Sequence, residues 1–65
     1  MRFVVLMEMN KRWVWELRSA EGTTICRSAM SYGDRDMAFK AIQEVRGRAN
    51  RALVFDPLGT LYEGV

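Results

Sequence analysis

The chain has 65 residues, of which 49% are apolar and 28% charged, and a formal net charge of +2. That balance excludes an intrinsically disordered chain, which carries too little apolar material to form a core, and so mild a positive charge does not by itself call for a nucleic-acid partner. A single cysteine and no histidine exclude an intrachain disulfide and argue against a zinc site, so no metal and no cofactor is expected.

A chain this short buries only about 60% of the surface that it exposes when unfolded. Ordering it costs on the order of 100 kcal/mol, at roughly 1.5 kcal/mol per residue. Small chains offset that cost with disulfides, a metal or a partner chain. The first two are closed here, so the expected partner is a second copy of the chain. The longest apolar run, Phe3 to Met7, is too short to span a membrane and too short for the core of a signal peptide. A cytoplasmic location is expected, and the lone cysteine suits a reducing compartment.

Taken in order, residues 2–8 (RFVVLME) read as a strand, rich in β-branched and aromatic side chains. Phe3, Val5 and Met7 share one face; Val4 and Leu6 share the other. Both faces are apolar, where a strand with one wet face would alternate. Residues 9–12 (MNKR) form a turn in which Asn10 is best suited to a left-handed conformation. Residues 13–18 (WVWELR) alternate most clearly, with Trp13, Trp15 and Leu17 on one side and Val14, Glu16 and Arg18 on the other. These two strands make an antiparallel hairpin, and the tryptophan face is the one a helix should cover.

Residues 19–22 (SAEG) are a second tight connection, with Gly22 able to take a positive φ. A third strand follows over 23–28 (TTICRS), and residues 29–33 lead to a helix predicted over 34–49. In that helix Met37, Ala38, Ala41, Ile42, Val45 and Ala49 recur at three- and four-residue steps and form one apolar stripe. Phe39 sits at the margin of the stripe. Asp34 is placed to cap the first turn, Asp36 to favour the positive end of the dipole, and Arg46 and Arg48 the negative end. Gly47 and Asn50 are stop signals. Residues 51–56 (RALVFD) read as a strand again; Asp56-Pro57-Leu58-Gly59 is a strong turn signal, and residues 60–63 can return as a short strand.

The predicted fold is therefore α+β and a single domain over 1–65: an antiparallel three-stranded sheet with one helix packed on one face (β-β-β-α), plus a short C-terminal strand or hairpin. The ordered set Phe3, Trp15, Leu17, Gly22, Ile25, Ser28, Tyr32, Ala38, Ile42, Val45 and Ala49 runs F-x11-W-x-L, then G, then S-x3-Y, then A-x3-I-x2-V-x3-A. In that pattern the chain resembles the YegP-like family of small bacterial and archaeal proteins of uncharacterised function, over residues 3–56. Members of that family often carry two copies of a strand-strand-strand-helix unit. The resemblance implies one copy here, with a second chain in place of the second copy. It brings no catalytic residues. The Ser28–Tyr32 connection is slightly longer than is usual in the family, and the segment after Asp56 departs from the tandem arrangement.

The remaining candidates are weighed on their chemistry. Trp13 and Trp15 could stack on bases, but two residues apart beside Leu17 they make a natural floor for the helix. Arg46, Arg48 and Arg51, with Trp13, are the possible nucleic-acid contacts; a solvated helix end explains the arginines more simply. Lys11 and Arg12 lie elsewhere, and Glu44 dilutes the field. Asp34 and Asp36 have no partner base or nucleophile and are accounted for by capping. Cys26 lacks the histidine that commonly activates a thiol. Met7 and Met37 read as core, Met9 and Met30 as loop residues.

The function expected is thus that of a non-enzymatic homodimeric module with a binding or structural role. Its expected interface is Val4, Leu6, Val14, Leu53, Phe55, Leu61 and Tyr62. The alternative is a weak, salt-sensitive nucleic-acid binder using the basic helix end.

Overall fold

The computed structural model describes residues 1–64. Three strands, β1 (Arg2–Met7), β2 (Trp13–Arg18) and β3 (Thr24–Arg27), form an antiparallel sheet in the order β1-β2-β3. The helix α1 (Arg35–Arg48) follows, then a single 3-10 turn (Ala49–Arg51) and a separate two-stranded ribbon of β4 (Val54–Phe55) and β5 (Leu61–Tyr62). This is the α+β arrangement that the residue pattern predicts.

Register fixes the two faces of the sheet. Phe3 stands opposite Leu17, Val5 opposite Trp15 and Met7 opposite Trp13. Directly opposed residues point to the same side, so these six form one face, joined by Cys26 opposite Leu17. Val4 opposite Glu16 and Leu6 opposite Val14 form the other. The helix lies on the first face, where Phe3, Val5 and Leu17 share a groove with Phe39 and Ile42.

The core is small. Val14, Trp15, Ala38 and Ile42 are the buried apolar residues, at 4%, 8%, 0% and 6% exposure. Ala38 and Ile42 are one helical turn apart, so the stripe meets the sheet at its small residue and its branched one. The Phe3 ring meets Trp15 edge-on, with centroids 5.5 Å apart and planes at 73°, a geometry favoured by the ring quadrupoles. The indole N–H of Trp15 is buried with no acceptor among the described residues. Met7 and Met37 are not core: they are 59% and 51% exposed. Met7 lies at the end of its strand, and Met37 lies in the first turn of α1, too near the start of the helix for the sheet to cover it.

The helix begins as its sequence dictates. Asp34 is extended (φ −143°, ψ 167°) and its carboxylate accepts from the Met37 N–H at 2.8 Å. Its end falls between the two stop signals: α1 runs through Gly47 to Arg48, and Ala49, still right-handed, caps it. The chain leaves through the 3-10 turn, so Arg51 belongs to that turn and not to a strand.

Three hairpin loops share one construction. In each, the first residue's N–H donates to the carbonyl of the fifth, and the N–H of the fourth donates back to the carbonyl of the first: Glu8 to Arg12, Ser19 to Thr23, Asp56 to Thr60. The fourth residue must take positive φ, the usual requirement of a three-residue hairpin loop. Gly22 (φ 90°) and Gly59 (φ 85°) do so without a Cβ clash, but Lys11 (φ 64°) occupies the same position in the first loop. Lys11, not Asn10, is therefore the left-handed residue. Asn10 contributes its side-chain oxygen, which accepts from the Arg12 N–H at 3.0 Å.

The third strand is shorter than 23–28 suggests. Leu17 faces Cys26 while Arg18 faces Thr24, so Ile25 is an extra residue in a bulge. This explains its ambiguous periodicity: a bulge shifts the alternation by one. Beyond Arg27 the chain stays beside β2. Ser28 N–H donates to the Trp15 carbonyl at 2.9 Å, and Tyr32 exchanges both backbone bonds with Trp13. Arg12 fastens the intervening loop through Ser31, with Nε donating to Oγ at 2.6 Å and Nη2 to the carbonyl at 2.8 Å.

Candidate functional site

Two surfaces and one groove carry the chemistry of this chain. The first surface is the sheet face away from α1. Glu8 lies just past β1 and Arg27 on β3, so their 2.6 Å ion pair spans β2 on the face that bears Val14. Glu16 accepts from Arg18 Nη2 at 2.8 Å and from the Thr24 hydroxyl at 3.2 Å, with Arg27 Nε 3.9 Å away. The Arg18 hydrogen bond, then the Thr24 hydroxyl and the charges of Arg18 and Arg27, hold the Glu16 carboxyl below its ordinary value, outweighing partial burial. Val14 is buried within the single chain beneath this network, and Val4 and Leu6 are half-buried.

The second surface is the terminal hairpin. It packs against no other described element of the chain. Leu53, Phe55, Leu61 and Tyr62 are all exposed on it, Leu53 at 68% and Phe55 at 54%. Its loop is nevertheless well formed. The Asp56 carboxylate accepts from the N–H groups of Leu58 and Thr60, both at 2.9 Å. Locally ordered and globally unsupported, the hairpin projects from the body. The Cα radius of gyration is 14.1 Å, against about 11 Å for a compact chain of this length.

The groove lies between the edge of β1 and α1. This open groove has a volume of about 490 Å³ and is lined by the apolar side chains of Phe3, Val5, Leu17, Phe39 and Ile42 and the polar ones of Arg2, Gln43 and Arg46. Nothing in the sequence alone joins Arg2 to Arg46; only the crossing of helix and sheet does. A periodicity signal did exist for Phe39, at the margin of the helical stripe.

Of the residues of the nucleic-acid reading, Arg46, Arg48 and Arg51 lie at the end of α1 and in the turn after it, and Trp13 lies apart from them. Trp13 sits at the Met7 end of the sheet beside Tyr32. Arg46 sits at the Phe3 end, and Phe3 to Met7 is about 13 Å along a strand at roughly 3.3 Å per residue. Arg48 is paired with Glu44 at 3.2 Å. Cys26 is an exposed thiol. Among the described residues no group of three or more acidic, cysteine or histidine side chains is placed to hold a metal ion, and no helix is long and apolar enough to cross a membrane.

A three-stranded antiparallel sheet under one helix, with a trailing hairpin, defines a small class of sheet-and-helix proteins. Within it the chain belongs to the family described as a domain of unknown function, DUF1508, whose family model matches residues 9–56. This is the YegP-like family that the sequence pattern resembles. A protein from Haloferax volcanii, solved by NMR in solution, has a similar structure, with a TM-score of 0.78. It shares 24% identity, the alignment covering 85% of this chain and 92% of that one, and the likeness concerns the fold. No curated protein matches the chain. The family match starts in the first hairpin loop and ends at Asp56, so β1 and β5 lie outside it.

Proposed function

We propose that this chain is a non-enzymatic module that works as a homodimer, in a binding or structural role. The observation that carries the reading is the isolated hairpin. A two-stranded ribbon alone in water is marginally stable, and this one holds its apolar side chains away from the body that might shelter them. A second copy that covers Leu53, Phe55, Leu61 and Tyr62 removes that cost, and a two-fold interface buries the same patch on both chains. Val4 and Leu6 extend the contact on the far face of β1, and Val14 backs it from beneath.

The non-enzymatic reading is supported by the structural roles that five of the eight acidic side chains already fill. Glu8, Glu16 and Glu44 are held in ion pairs with arginines, Asp34 caps α1 and Asp56 caps the last loop. Sedimentation or light scattering on the purified chain tests the dimer. A folded monomer at micromolar concentration sinks it. Phe55→Asp with Leu61→Asp should convert dimer to monomer. The alternative, a salt-sensitive nucleic-acid binder, has in its favour Arg46 and Arg51, which form no ion pair among the described residues. Fluorescence anisotropy with oligonucleotides at low salt tests it, and binding must weaken steeply as salt rises.

A further inference from the structure

We propose that the groove between β1 and α1 binds an amphipathic small-molecule anion: a carboxylate carried on a medium-length hydrocarbon chain. The floor is apolar on both sides, Phe3, Val5 and Leu17 from the sheet and Phe39 and Ile42 from the helix. Arg2, Gln43 and Arg46 also line the groove, and no carboxylate does. Three other arginines are matched by carboxylates: Arg18 with Glu16, Arg27 with Glu8, Arg48 with Glu44. Arg2 and Arg46 form no ion pair among the described residues.

Two unmatched guanidinium groups beside an apolar floor suit a molecule with one oily end and one anionic end. The planar fork of arginine matches a carboxylate with two parallel hydrogen bonds. A neutral hydrocarbon gains nothing from the arginines, and a bare inorganic anion gains nothing from the floor. The cavity of about 490 Å³ lies within the roughly 300–1,000 Å³ usual for small-molecule sites. Phe39 fits the same account. It is 45% exposed, with the Arg35 guanidinium 5.9 Å from its ring centroid, so a large apolar side chain stands open at the groove. The site is on the helix side of the sheet, apart from the hairpin and the far face proposed for the dimer, and it can be tested separately from dimerisation.

The experiment is an amide-resolved NMR titration of the full chain with decanoate, octanoate and 1-decanol, below their aggregation limits, with sedimentation run in parallel. Decanoate should shift the amides of Phe3, Val5, Leu17 and Phe39, and should bind at least about tenfold more tightly than 1-decanol, as expected for charge-assisted pairing. Octanoate should bind more weakly than decanoate, by up to about fourfold per methylene removed. Arg2→Gln with Arg46→Gln should abolish the preference for decanoate over 1-decanol while the circular dichroism stays unchanged, since both side chains are exposed. Phe39→Ala should weaken both ligands. Equal affinity for the acid and the alcohol, no shift at all, or shifts confined to residues 54–62 would overturn the proposal. So would dissociation of a dimer by decanoate, which would mark a second copy as the occupant of the groove.

Discussion

The sheet-and-helix body and the terminal hairpin use the same local devices and reach opposite results. Both have a three-residue loop with its fourth hydrogen-bonding position at positive φ, and both have an aspartate that accepts backbone N–H groups. In the body those devices hold strands and a helix that then bury Trp15 and Ala38. In the hairpin they hold Phe55 and Leu61 with nothing behind them. Turn chemistry therefore specifies conformation in both places, but only layered packing supplies the stabilisation that outlasts fluctuation.

The comparison breaks most sharply at the aromatics. Trp15→Ala removes the centre of a four-residue core and should cost about 3–5 kcal/mol. That is most of what so small a domain has to spare, so the variant should lose its circular dichroism spectrum at room temperature. Phe55→Ala should leave the body folded in the same measurement and weaken self-association in sedimentation instead. If Phe55→Ala unfolds the body as Trp15→Ala does, hairpin and body are one cooperative unit.

A smaller effect separates the two aspartates. Asp34→Ala deletes the helix cap and should lower the denaturant midpoint by about 1 kcal/mol worth of stability. Asp56→Ala should instead raise amide exchange at Leu58 and Thr60 with little change in that midpoint. Smaller again is the first loop. Lys11 pays the left-handed penalty that Gly22 and Gly59 avoid, so Lys11→Gly should stabilise the body by up to about 1 kcal/mol. Gly59→Ala, the reverse change in the hairpin, should loosen the loop alone.

The least effect is that of pH on the far face of the sheet. Glu16 ionises more readily folded than unfolded, because Arg18, Thr24 and Arg27 favour its carboxylate. Its contribution is therefore complete above the ordinary value of 4.5 and is lost as pH falls through the lower, folded value. Melting temperature should drop over that acid range in the natural chain and drop less in Glu16→Gln. The hairpin's amide exchange, corrected for intrinsic rates, should not follow that titration.

Much of this architecture was legible in the residues. The period-two alternation in WVWELR set the tryptophan face, and the helix covers it. The steps from Ala38 to Ile42 set the helical stripe, and Asp34 marked its start. Where the reading slipped, a non-local fact intervened. Ile25 blurred the third strand because a bulge opposite Leu17 and Arg18 shifts its phase. Met7 and Met37 fit the apolar pattern, but Met7 ends its strand and Met37 lies in the first turn of α1, where helix and sheet no longer cover each other.

The sequence by itself determined which segments are strand, helix and turn, because periodicity, capping and positive-φ loops are decided within a few residues. It also determined that the chain has more apolar surface than one sheet and one helix can hide. Only the tertiary structure decided where that surplus lies. Packing of α1 across β1 and β2 buried Trp15, brought Arg2 and Arg46 to one groove, parted Arg46 from Trp13, and left the hairpin outside. Those outcomes depend on the crossing of elements far apart in the chain, which no local pattern encodes.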